Sequence, residues 1–137
     1  MLQEIIFLIG FRLMRILLAD DQLHVRSALQ ILLKQEPNLY VVGEASDAES
    51  LLAQARAVVP DLVLVDFELP GLRKNNLITT LHCEFPAMRI VALSGLLEMR
   101  RVALRIGADA FVSKIDPPEI LVALLQSFAN TKHHVSS

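Results

Sequence analysis

The run Asp61-Leu62-Val63-Leu64-Val65-Asp66, continued by Phe67-Glu68-Leu69-Pro70-Gly71, decides how the rest of the chain is read. Four consecutive apolar residues, two of them valine, stand between the turn signals Pro60-Asp61 and Pro70-Gly71. A run this apolar, with no polar alternation, predicts a central strand of a parallel sheet, covered on both faces. Asp66 closes it. A carboxylate at the carboxyl end of such a strand falls in the crevice where open α/β sheets hold their ligands. The plainer reading, a turn-forming aspartate, stays open on this stretch alone.

Outward from that strand the same signature repeats. Upstream, Arg15-Ile16-Leu17-Leu18-Ala19 is a second short apolar run, and it too ends in acid, at Asp20-Asp21. From Gln22 the period changes: Val25, Ala28, Leu29, Leu32 and Leu33 recur at helical spacing until Pro37-Asn38. Leu39-Tyr40-Val41-Val42-Gly43-Glu44 reads as a strand, with Glu44 at the surface. Ser46 or Asp47 then caps a helix whose apolar face is Ala48, Leu51, Leu52, Ala55 and Val58 or Val59. Downstream, a helix is expected from about Leu77 to Glu84, ahead of Pro86. Met88-Arg89-Ile90-Val91-Ala92-Leu93 is the fourth strand and closes on Ser94-Gly95. Met99, Val102, Ala103 and Ile106 mark a helix that Gly107 caps. Ala110-Phe111-Val112-Ser113 is the fifth strand, followed by Lys114. Asp116-Pro117-Pro118-Glu119 opens a last helix through about Phe128, with Asp as cap and Pro at the first positions. Strand and helix alternate five times through short, right-handed connections, so the expected fold is α/β, a parallel sheet with helices on both faces.

The chain has 137 residues, the size of one domain with a real core. Its parts are an N-terminal extension over 1–13, the domain over 14–129 and a polar tail over 130–137. At 53% hydrophobic and 20% charged, a disordered chain is excluded. A net charge of -2, with no lysine–arginine cluster, argues against gripping nucleic acid by its phosphates. The apolar block Ile5 to Ile9 is too short to span a bilayer, and its basic residues follow it, where a signal peptide has them in front. Either Met14 is the natural start, or the extension packs as an extra element on the domain or on a partner. The single cysteine, Cys83, has no partner for a disulfide or a metal site and fits a reducing cytoplasm. His24 and His82 read as solvated, and His133-His134 as part of the tail.

The chemistry sits at the strand ends: Asp20-Asp21, Asp66, Ser94 and Lys114. In a parallel sheet these ends share one edge, with neighbouring strands about 4.8 Å apart. If the first and third strands are neighbours, three carboxylates converge. Such a cluster repels itself unless protons or a divalent cation neutralise it. Carboxylate oxygens without nearby histidine or cysteine suit a hard cation such as Mg²⁺. A lysine and a hydroxyl beside them complete a cradle for a phosphoryl group, and a carboxylate can itself be the nucleophile.

In this order on successive strands, from about Met14 to Phe128, these residues resemble the receiver domain of bacterial two-component response regulators. Leu69-Pro70-Gly71 and Gly107-Ala108-Asp109-Ala110-Phe111-Val112-Ser113-Lys114 are close to family wording. Ile115-Asp116-Pro117-Pro118-Glu119 most resembles receivers that precede LuxR-type helix-turn-helix domains. The resemblance implies a flavodoxin-like (βα)5 three-layer sandwich with strand order 2-1-3-4-5. It implies phosphorylation of Asp66 by a sensor histidine kinase or phosphotransfer protein. Mg²⁺ would be held by Asp20, Asp21, Asp66 and the backbone carbonyl of Glu68. Ser94 would be the switch hydroxyl, Lys114 the phosphate's lysine, and Phe111 the aromatic switch that turns inward once Ser94 moves. The implied readout is homodimerisation through the face of the fourth helix, fifth strand and fifth helix. The implied setting is cytoplasmic, with no membrane and no direct nucleic-acid contact by this segment, and with catalysis limited to its own phosphorylation and dephosphorylation.

The chain departs from the family pattern in three places. Lys74 stands where glycine is common, the stretch from Ser94 to Lys114 is short, and Ile115 follows the lysine where many members have proline. Rival readings are a Mg²⁺-dependent α/β phosphatase, whose second acid Glu68 imitates in spacing only, and an interaction module that is never phosphorylated. A DNA-binding regulator is a third, but no helix-turn-helix pattern follows Phe128.

Overall fold

The computed structural model describes Met1 and residues 12–131. Most of the expected N-terminal extension, and the tail beyond Thr131 with His133 and His134, lie outside the described residues. The described chain alternates strand and helix throughout: β1 (Met14–Ala19), α1 (Leu23–Lys34), β2 (Leu39–Ala45), α2 (Ala48–Val58), β3 (Leu62–Asp66), α3 (Leu77–Glu84), β4 (Arg89–Ser94), α4 (Met99–Arg105), β5 (Ala110–Ser113) and α5 (Pro118–Thr131). The five strands pair in parallel in the order β2-β1-β3-β4-β5. This is the flavodoxin-like three-layer sandwich expected.

All five residues of β3 are buried, and the pleat explains why the run is apolar throughout. Val63 and Val65 face one core cluster, with Leu51 of α2, Leu77, Ile78 and Leu81 of α3, and Ala103 of α4. Leu62 and Leu64 face the other, with Leu33 of α1 and Leu121 and Leu125 of α5. Neither face meets water, so neither tolerates a polar residue. Each such side chain contributes about 2 kcal/mol by leaving water. The register then sets the site. Ala19 pairs with Val65, so Asp20 and Asp66 leave the sheet side by side. Asp66 pairs with Leu93, and Ser94 pairs with Ser113, which delivers Lys114 to the same edge.

The helix ends follow local chemistry. Asp47 rather than Ser46 caps α2: its carboxylate accepts from the Ser50 N–H at 2.7 Å, and the Ser50 hydroxyl accepts from the Asp47 N–H at 3.2 Å. Gly107, at φ +116°, ends α4 as expected; Gly107 N–H donates to the Leu104 carbonyl and Ala108 N–H to that of Ala103. Gly71, at φ +84°, lets the turn after β3 lie against the start of α2, where a Cβ would meet that of Ala48 at 3.0 Å. Two ends differ from the reading above. α5 runs to Thr131, past Phe128. It begins at Pro118, so Asp116 lies ahead of it and its carboxylate accepts instead from the Ser113 N–H at 3.3 Å.

Candidate functional site

Asp20, Asp66 and Ser94 are 1%, 6% and 0% exposed, so three polar side chains are buried at the one edge of the sheet where its strands finish. Burying them demands partners, because an unpaired polar group in the interior costs free energy. Asp20 accepts from the Gln22 N–H at 2.9 Å, which fixes its orientation at the start of α1. Its backbone carbonyl accepts from Arg26 Nη1 at 2.6 Å, and Arg26 is held in turn by Glu44 at 2.7 Å. Glu44, read as a simple surface residue, is thus the anchor of an arginine that props up the site. Asp66 accepts from the Glu68 N–H at 3.0 Å. Ser94 donates to the Glu68 carboxylate at 2.8 Å and accepts from the Leu96 N–H at 3.0 Å.

Lys114 ties the group together. Its ammonium donates to Asp20 Oδ2 at 2.9 Å and lies 3.4 Å from Asp66 Oδ2. Oxygens of Asp20, Asp21 and Asp66 all come within 4.8 Å of one another, with Asp21 exposed at the mouth. Three carboxylates thus meet one lysine. Burial pushes the Asp66 carboxyl above the usual aspartate range, and neighbouring Asp20 adds to it; the Glu68 N–H and Lys114 pull the other way without prevailing. Burial alone would lower Lys114, but the hydrogen bond to Asp20 and the charges of Asp66 and Asp20 outweigh it and raise its pKa. Among the described residues, no buried side-chain nitrogen or oxygen lacks a hydrogen-bond partner.

The residues singled out by sequence therefore divide. Asp20, Asp21, Asp66 and Lys114 share one pocket, and Ser94 reaches it through Glu68. Phe111 stands apart. It is 5% exposed, packed in the core against the inner side of α4, with the Arg100 guanidinium 5.1 Å above its ring. The ring is already inside, so nothing in this arrangement requires it to turn in from solvent. Sequence reasoning named Glu68 for its backbone carbonyl and missed the carboxylate that holds Ser94; the two-residue step from Asp66 was the available signal. It also missed Arg26 and Arg100, whose partners lie 18 and 11 residues away with no periodicity to show them. His82 is not merely solvated: its Nε2 lies 3.2 Å from Asp109 Oδ2. Among the described residues no helix is long and apolar enough to cross a membrane.

Comparison with known proteins agrees with this geometry. The response regulator receiver domain family matches residues 16–126. The nitrate/nitrite response regulator protein NarL of Escherichia coli strain K12 is 35% identical over 117 residues, covering 83% of this chain and 54% of that protein. The chain thus spans about half the length of that relative. Among solved structures, a LuxR-family two-component response regulator from Aurantimonas sp. SI85-9A1 aligns with a TM-score of 0.78 at 28% identity, covering 85% of each chain. The signal receiver domain of NarL from Mycobacterium tuberculosis aligns at 0.75 and 27% identity, covering 85% of this chain and 97% of that one.

Proposed function

Because this chain belongs to the response regulator receiver domain family of two-component signalling, we propose that Asp66 is its phosphoacceptor and that a sensor histidine kinase or phosphotransfer protein is its donor. The observation that carries the reading is the convergence of Asp20, Asp21 and Asp66 oxygens within 4.8 Å of one another, with the Lys114 ammonium 3.4 Å from Asp66. The receiver unit is taken as residues 14–129, in a cytoplasmic setting.

The donor set fits a hard divalent cation: three carboxylates, no histidine and no thiolate among them. Asp20, Asp21, Asp66 and the backbone carbonyl of Glu68 would hold Mg²⁺. When bound, the cation neutralises the carboxylate cluster and the charge of an arriving phosphoryl group. The protein's own groups do the rest. The Glu68 N–H keeps one Asp66 oxygen fixed, leaving the other to attack phosphorus. An oxygen–phosphorus bond forms there as the phosphorus–nitrogen bond to the donor histidine breaks, and the electron pair of that bond returns to the imidazole. Lys114 exchanges its contact with Asp20 for a phosphate oxygen. Ser94 gives up the Glu68 carboxylate to donate to another.

Each of these contacts differs between the two states, and a ligand shifts an equilibrium only through such differences. Release of Ser94 frees the segment after β4, where Leu96 N–H is held by the Ser94 hydroxyl. Phe111 and the Arg100 above it transmit the change to α4. Leu97 in the turn before α4 and Leu104 on it are exposed, at 56% and 43%, and support homodimerisation through the α4-β5-α5 face as the readout. The phosphatase alternative loses ground, since the Glu68 carboxylate is engaged with Ser94.

Titration with Mg²⁺ and beryllofluoride, followed by amide NMR shifts, tests the reading. Signals of Asp66, Ser94, Phe111 and Lys114 should shift and saturate when both are present. Asp66→Asn should abolish the beryllofluoride response. An equal response in that variant, or none in the unmodified chain, would reject the assignment.

A further inference from the structure

Arg26, near the start of α1, is charged, yet its side chain is only 15% exposed. Its guanidinium donates in two directions. Nη1 reaches the backbone carbonyl of Asp20 at 2.6 Å, and Nε reaches Glu44 Oε1 at 2.7 Å. The other Glu44 oxygen accepts from Gln30 Nε2 at 3.0 Å, and Gln30 stands one helical turn beyond Arg26. Hydrogen bonds from Arg26 and then Gln30 hold the Glu44 carboxyl below its usual range, so it is charged at neutral pH. A carboxylate near the end of β2 thus locks an arginine of α1 against the residue that follows β1.

Asp20 is gripped at four points. Its N–H donates to the Ala45 carbonyl at 3.0 Å, Oδ1 accepts from the Gln22 N–H at 2.9 Å, and Oδ2 accepts from Lys114 at 2.9 Å. These three fix its own amide and its side chain. Among the described residues, only the fourth contact, from Arg26, grips the peptide group that joins Asp20 to Asp21. Asp21 is exposed at the mouth of the site, and none of the described residues hydrogen-bonds its carboxylate. Its stance is inherited from the backbone ahead of it, because a planar peptide turns as one unit.

We propose that Arg26, locked by Glu44, is a positioning residue for the divalent cation: by holding the Asp20 carbonyl it sets where the Asp21 carboxylate stands. Charge alone gives no reason for an arginine here, because a lone cation beside a divalent one repels it. Pairing with Glu44 offsets that charge and leaves the geometry. Arginine suits the task, since its rigid fork serves two acceptors at once, where a lysine offers a mobile point charge. The inference rests on the reading of Asp20, Asp21 and Asp66 as the residues that hold the cation, and it gives Arg26 no contact with the reacting groups.

Titration of the full chain with Mg²⁺ alone, followed by amide NMR shifts, tests this without any phosphoryl donor. Arg26→Met keeps an unbranched stem and suits a helix. It should weaken Mg²⁺ binding by about tenfold or more, the usual cost of losing a group that orients a metal ligand. Arg26→Lys should recover part of that loss, whereas charge alone predicts that Arg26→Met binds the cation tightest. Glu44→Ala should also weaken binding, but should add nothing in the Arg26→Met background, because it acts through Arg26. Three results would each overturn the inference and leave the cation reading standing: unchanged or tighter binding in Arg26→Met, no recovery in Arg26→Lys, or a Glu44→Ala loss undiminished in the Arg26→Met background. Should Arg26→Met not fold, Mg²⁺ binding by Arg26→Lys as tight as that of the unmodified chain would overturn it instead. No binding by the unmodified chain would overturn both the inference and the reading beneath it.

Discussion

Lys114 Nζ is shared between Asp20 at 2.9 Å and Asp66 at 3.4 Å, and the sharing is incomplete compensation for burying both carboxylates. Asp66 shows the shortfall: its pKa is raised, chiefly by burial, so folding favours its protonated form more than the unfolded chain does. The sign follows by linkage. Between the ordinary aspartate value of 3.8 and the raised one, the folded state binds more protons than the unfolded state, so stability falls as pH rises through that window. Without divalent cation, Asp66→Asn should unfold at a higher temperature than the unmodified chain at neutral pH, and the gap should close below 3.8. Thermal unfolding across pH checks this; a variant less stable at neutral pH would contradict it. At this scale the groups that cluster at the sheet edge were legible, because strand ends are visible as the places where apolar runs stop on Asp20, Asp66 and Ser94. The Ser94–Glu68 hydrogen bond was not, since it depends on how the turn after β3 aims one side chain.

Val59 ends α2 in the left-handed region, at φ 43° and ψ 71°. A β-branched residue rarely goes there, and the cause is its neighbour: Pro60 disfavours right-handed helical geometry at the residue before it. Arg15 Nη1 donates to the Val59 carbonyl at 2.8 Å and holds the strained turn, which sends the chain into β3. The side chain is 51% exposed, so little packing is lost on removing it. Val59→Gly should raise stability by about 0.5–1 kcal/mol, the relief of left-handed strain minus the added freedom of the unfolded chain. Chemical denaturation measures it, and a loss of stability would show that Val59 packs more than it strains. Element existence and type followed from period, and all ten strands and helices among the described residues were legible. Boundaries followed less well. The choice between Ser46 and Asp47 needed the position of Ser50, and Asp116 was drawn away from α5 by the backbone of Ser113.

Among the described residues, two apolar clusters cover the two faces of one sheet, and Asp20, Asp66 and Ser94 are buried together where its strands finish. Alternating strands and helices establish a parallel sheet, but the order of strands within it is not written in any local pattern. The order 2-1-3-4-5 came with the family resemblance, and it matters because only the adjacency of β1 and β3 brings Asp20 beside Asp66. The central proposal belongs at this scale: that the fold gathers this edge into a phosphoryl acceptor. Intact-protein mass spectrometry after incubation with Mg²⁺ and a small acyl phosphate tests it most directly. The account predicts the gain of a single phosphoryl group, labile to hydroxylamine, dependent on the cation and absent in Asp66→Asn. A phosphoryl group retained in that variant, or none gained by the unmodified chain with the cation present, would contradict it.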